Sequence, residues 1–122
     1  MPFPEHVTAS DAPVAVLEPR SRLLTWPNRI GLEDWSDWVR ERALFVPTTA
    51  DARYSQVVEM HDPGQKENRN AILLAPLGKG TYVYSAITFF EQLPGGVPGS
   101  LRLFVNLLSA GCRPSGSGAA KC

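Results

Sequence analysis

The side chains able to do chemistry are few, and their spacing assembles none of the usual reaction centres. The histidines are His6 and His61, each beside a carboxylate, Glu5 and Asp62. That supplies one nitrogen and one oxygen where a zinc site needs at least three protein ligands, so both read as surface positions and no metal site is assigned. Cys112 follows Gly111 at the end of a helical pattern, whereas a nucleophile elbow stands between a strand and the helix after it. No Gly-x-Ser-x-Gly occurs, and the serines have no base partner except the two histidines. Gly78-Lys79-Gly80 and Gly95-Gly96-Val97-Pro98-Gly99 have the look of phosphate cradles, but neither fits the P-loop or dinucleotide spacing. The first is better read as a hairpin turn. In the second, Pro98 removes an amide donor and suits a first helical turn.

Carboxylates cluster at Glu33, Asp34, Asp37 and Glu41. General acid–base work needs carboxyls in contrasting environments, and a single short helical stretch offers a solvated face instead. Two side chains stand out as candidate ligand or partner contacts, Asn28 and Arg42. Asn28 sits in the turn dipeptide Pro27-Asn28. Arg42 adjoins an apolar strand, where an arginine usually has a carboxylate partner; a structural ion pair is the expected role and an anion contact the alternative. No catalytic residue and no cofactor-binding residue is assigned, and no cofactor is expected.

The elements that must position these residues follow from periodicity. Ala71–Leu108 organises the chain: the apolar run Ile72–Ala75, a turn over Pro76–Gly80, and the β-branched and aromatic run Thr81–Ile87 predict a hairpin. Leu101, Phe104, Val105 and Leu108 recur at i, i+3, i+4, i+7, and with Leu103 and Leu107 they predict a helix needing cover on more than one side. Upstream, Val14–Leu17 reads as a short buried strand and Ala43–Val46 as a second, stopped by Pro47. Tyr54–Met60 alternates weakly, as a strand would. Leu32, Trp35, Trp38 and Val39 predict an amphipathic helix across Gly31–Arg42 with both indoles on its buried side. Residues 1–13 read as an arriving loop and residues 112–122 as a flexible tail.

The chain has 122 residues, one domain's worth, with twelve basic and twelve acidic side chains. No net positive field and no Lys/Arg cluster exists to recruit nucleic acid or an anionic membrane. No apolar run is long enough for a membrane-spanning helix, and Met1–His6 has neither the basic segment nor the apolar core of a secretory leader. Cys112 and Cys122 both fall in the last eleven residues, where a disulfide would close only a small loop and stabilise little of the core. Free thiols are the expectation.

Several longer stretches carry a resemblance. Trp26-Pro27-Asn28-Arg29-Ile30, Asp34-Trp35-Ser36-Asp37-Trp38-Val39-Arg40-Glu41-Arg42 and His61-Asp62-Pro63-Gly64 come in that order. They are followed by Gly78–Tyr84, Phe89–Gly99 and Arg102–Leu108. The series resembles the C-terminal region of bacterial PIG-L family deacetylase proteins, where it looks like the back half of a class I glutamine amidotransferase-like domain. The resemblance runs from about Val7 to Gly111. It implies a partial flavodoxin-like α/β layered sheet with a C-terminal hairpin and buried helix, over residues 1–111. It also implies a non-catalytic accessory role beside an upstream zinc-dependent deacetylase domain in a bacterial parent that could act outside the cytoplasm. The family's His/Asp metal motif and the amidotransferase His-x-Glu have no counterpart here, so no catalytic residue is carried over.

Two other roles compete with this one. A carbohydrate- or protein-binding module would use Trp26, Trp35 or Trp38 and would show an open aromatic face. A hydrolase or amidotransferase in its own right would show a metal- or thiol-bearing cleft. If the strands that normally precede Val7 are missing, an unpaired edge and an uncovered helix face should make the isolated chain self-associate.

Overall fold

The computed structural model describes residues 5–111, 113–114 and 120–121. The chain is mixed α/β, with small antiparallel sheets and a few helices. Its strands are β1 Glu5–Val7, β2 Val14–Val16, β3 Ala43–Val46, β4 Ser55–Gln56, β5 Val58–Met60, β6 Ile72–Leu77 and β7 Gly80–Ser85. The helices are α1 Arg22–Thr25, α2 Phe89–Gln92 and α3 Pro98–Leu108. Near the end, β8 Arg113–Pro114 pairs antiparallel with β9 Ala120–Lys121. Both cysteines, Ser115–Ala119 of the tail and Met1–Pro4 of the arriving segment lie outside the described residues.

The hairpin forms as its sequence predicts, in unbroken register from Ile72↔Ser85 to Leu77↔Gly80. The strands run further than expected, through Pro76 and Leu77, leaving only Gly78-Lys79 as the loop. Gly78 takes φ +59°, the left-handed value that two-residue hairpin loops require. β4 lies on the other side of β6. Val57 joins the neighbouring pair: its N–H donates to Ile72 O (3.2 Å), and its carbonyl accepts from the Leu17 N–H (2.9 Å). β5 then continues against β2, and β1 pairs with β3. A bridge between Ala43 and Ile87, with the Leu44 N–H donating to Ala86 O at 2.9 Å, ties β3 to the chain leaving the hairpin. Val46, Val57, Val58, Met60, Ile72, Leu23 and Leu103 are fully buried and form the centre of the core.

The arriving segment is not all loop, since Glu5–Val7 forms β1, and three further expectations change. β2 is not buried: Ala15 and Val16 are exposed, because its only strand partner among the described residues is β5. Gly31–Arg42 is not a helix. A single 3₁₀ turn covers Leu32–Trp35, and positive φ at Asp37 (+62°) and Arg40 (+55°) breaks any continuation. Leu32, expected on the buried stripe, is 81% exposed. The backbone groups that a helix would have satisfied are met by Gln92 of α2, whose amide is fully buried. It accepts from the Val39 N–H (2.9 Å) and donates to the carbonyls of Val39 (2.7 Å) and Glu41 (3.0 Å).

The third change concerns α3, which buries a face other than the one its leucines predict. Gly99, Ser100, Leu103 and Asn106 point inward, while Leu101 and Leu108 are 56% and 70% exposed. Two contacts fix that rotation. Gly99 rests directly against the backbone of Asp34, where any Cβ would overlap its carbonyl. Asn106 accepts from the Asn28 N–H (2.9 Å) and donates to Leu23 O (2.9 Å) and Asn28 O (2.7 Å). Buried amides and carbonyls left unpaired cost more than apolar side chains left in water, so the polar clamp decides the orientation.

Candidate functional site

An open cleft of about 560 Å³ lies between the segments Ser10–Val14 and Leu32–Trp38, with Arg42 in its lining. Each wall is held by a specific contact. On one side Asp62 secures the chain just ahead of Ser10: one carboxylate oxygen accepts from the Thr8 N–H (2.9 Å) and hydroxyl (2.7 Å), and the other from the Ala9 N–H (2.8 Å). Burial opposes ionisation of Asp62, but these hydrogen bonds outweigh it and hold the group below its ordinary carboxylate value. On the other side the Trp38 indole N–H donates to Asp34 O (2.8 Å), stacking Trp38 on Trp35 with ring centroids 5.3 Å apart.

Arg42 is fixed at both ends. Its backbone N–H donates to Val7 O (2.8 Å), and its carbonyl accepts from the Thr88 N–H (3.1 Å). Its guanidinium lies 5.9 Å and 5.5 Å from the Trp35 and Trp38 ring centroids, within cation–π range, and Nη2 donates to Trp35 O (2.9 Å). The residue is 4% exposed. The ion pair expected from the sequence is absent: no carboxylate among the described residues lies at salt-bridge distance from it. Nε and Nη1 are buried and lack a hydrogen-bond partner among those residues. Burial lowers the guanidinium's affinity for its proton, and the charge of Asp11 acts in the opposite direction. Asp11, Ser36 and Asp37 are exposed and line the cleft, so its outer part is acidic and its floor cationic.

Asn28, the other candidate, does not line this cleft. Its side-chain amide donates to Arg102 O and to Asn106 Oδ1, both at 3.3 Å, which makes it part of the clamp on α3. Asp34 is buried rather than solvated. It accepts from the Gly31 N–H (2.8 Å) and lies 2.9 Å from Arg102 Nε, an ion pair whose nitrogen is off the line of a hydrogen bond. The structure does bring His6 and His61 to one small hollow. There His61 Nδ1 is 2.7 Å from Glu59, while His6 meets Phe45 edge-on. No grouping of three histidine, cysteine or acidic side chains suited to a metal occurs among the described residues. None of the described helices is long and apolar enough to cross a membrane.

Sequence reasoning missed the Ser10–Val14 wall, which carries no motif, and the anchoring role of Asp62, noted as the carboxylate beside His61. The only signal for either was the Asp62-Pro63-Gly64 run. Set against protein-family models, curated proteins and solved structures, the chain matches none. Fold and site together define a small mixed α/β domain whose open cleft is floored by a buried arginine.

Proposed function

We propose that the chain is a non-catalytic accessory domain of a PIG-L type N-acetyl-sugar deacetylase, the role its sequence resemblance implies. On this reading its strands are the back part of a flavodoxin-like, class I glutamine amidotransferase-like sheet. The pairings among the described strands are antiparallel, so the parallel strands of such a sheet would belong to the rest of the domain. The observation that carries the reading is the outer face of α3. Leu101, Val105 and Leu108 stand exposed one above another on a helix whose inner face is already packed. Apolar side chains grouped on one exposed face are a surface on which a neighbouring domain can dock. The deacetylase domain is the neighbour the resemblance supplies.

Co-expression with a bacterial PIG-L type deacetylase domain tests this. The two should purify together, and a Leu101→Asp/Leu108→Asp variant of this chain should not. Failure of the unaltered chain to associate would remove the support that α3 gives. Of the indoles that the competing recognition role would use, Trp35 and Trp38 are only 6% and 5% exposed, while Trp26 is half-buried. That role keeps the cleft.

A further inference from the structure

We infer that the cleft between Ser10–Val14 and Leu32–Trp38 binds a small organic carboxylate that also carries hydrogen-bond donors, with its carboxylate toward Arg42 and its donors toward Asp11 and Asp37. The inference does not depend on what α3 docks against. It starts from the least satisfied group among the described residues. Arg42 is more than nine-tenths buried and forms a single side-chain hydrogen bond, to Trp35 O, leaving Nε and Nη1 unpartnered. A buried charge without hydrogen-bond partners is strongly unfavourable, and folded proteins keep one only where something pairs with it. The two indoles stabilise the cation through their faces but offer no acceptor to its N–H groups.

The free donors, Nε and Nη1, lie on different edges of the guanidinium, and each offers a carboxylate oxygen a separate charge-assisted hydrogen bond. Backbone bonds to Val7 and Thr88 hold the base of the side chain, and the bond from Nη2 to Trp35 O holds its tip, so the guanidinium is pre-organised. A simple anion would meet Arg42 but then face Asp11 and Asp37 across the cleft, like charges that disfavour it. A ligand with donors at its other end turns those carboxylates, with Ser10 and Ser36, into partners. Ammonium and hydroxyl groups both satisfy them, so an amino acid and a sugar acid share the required chemistry. The volume accommodates a molecule of either size. Glu91, whose carboxylate also has an unpartnered buried oxygen, does not line the cleft and has no part in it.

The test is a titration of the chain followed by indole fluorescence, since Trp35 and Trp38 lie in the lining, with ¹H–¹⁵N spectra locating the response. The probes are D-glucuronate and 4-aminobutyrate; acetate supplies the carboxylate alone, and D-glucose the donors alone. At least one bifunctional probe should saturate the signal about tenfold more tightly than acetate and glucose, the scale of one charge-assisted hydrogen bond. Which of the two wins tells hydroxyl from ammonium donors. Arg42→Lys keeps the charge but loses the planar array of separate donors and should weaken binding by about tenfold or more. Should that variant fail to fold, Asp11→Asn and Asp37→Asn, at exposed positions, should each weaken the bifunctional probe and leave acetate unchanged or bound more tightly. No saturation by either bifunctional probe, equal binding of acetate, or rim variants without effect would each overturn the inference. Co-purification with a deacetylase reads α3 and these titrations read the cleft, so either can fail alone.

Discussion

Among the described glycines, Gly99 has the least room for a side chain. It opens α3 and lies on the backbone of the 3₁₀ turn that carries Trp35, with no room for a methyl group. Overpacking a core typically costs about 1–3 kcal/mol, and here the obstacle is backbone, which cannot rotate away. Gly99→Ala should therefore lower stability by about 3 kcal/mol or more in urea unfolding. Gly95, with no positive φ and its nearest neighbour backbone at 3.2 Å, should tolerate alanine better. A second residue-scale effect is linked to pH. The hydrogen bond to Glu59 raises the pKa of His61 above 6.5, against the opposing pull of burial. A histidine that binds its proton more tightly when folded contributes stability that is fully present below its unfolded pKa. That contribution is lost as pH rises through the raised folded value. The urea midpoint should decline as pH rises from about 6.5 through the raised folded value, and His61→Gln should flatten that slope. An unchanged slope in the variant would place the effect elsewhere.

Helix α3 shows how one element can be recognised correctly and still be turned the wrong way. Its existence is legible from the spacing of Leu101, Phe104, Val105 and Leu108, and its start from Pro98. Its rotation is not, because an apolar count treats Gly99, Ser100 and Asn106 as outward residues. In the fold one permits close backbone approach and another closes four hydrogen bonds to the chain around Leu23 and Asn28. The indole segment fails for a related reason. Helical spacing of Leu32, Trp35 and Trp38 cannot reveal that Asp37 and Arg40 take left-handed conformations, nor that Gln92 supplies the missing partners from far along the chain. The hairpin was legible because its turn and register are local. At the site, Arg42 was visible as a charge beside an apolar strand, but its lack of an ion pair depends on which long-range neighbours arrive. The inverted helix makes a sharp contrast. Leu103→Ala, at 1% exposure, should cost about 2–5 kcal/mol. Leu101→Ser and Leu108→Ser should each change the stability of the single chain by no more than about 0.5 kcal/mol. Chemical denaturation of the three variants side by side checks it, and the reverse ranking would mean that α3 packs by its leucine stripe.

Across the whole molecule, a packed core centred on Ile72, Met60 and Leu103 coexists with surfaces that lack cover. The outer stripe of α3 is one. β7 and β2 are others, each paired along only one side among the described strands. Twelve acidic against twelve basic side chains leave little net repulsion to keep copies apart. If this is an accessory domain taken without its neighbour, the uncovered helix face should find another copy. The most direct measurement is light scattering coupled to size exclusion over a range of concentrations, on the unaltered chain and on Leu101→Ser/Leu108→Ser. The unaltered chain should shift toward a larger mass as concentration rises, while the double variant stays monomeric with the same unfolding midpoint at low concentration. A chain that remains a sharp monomer at every concentration and unfolds cooperatively would contradict the account, because its apolar helix face would then need no partner.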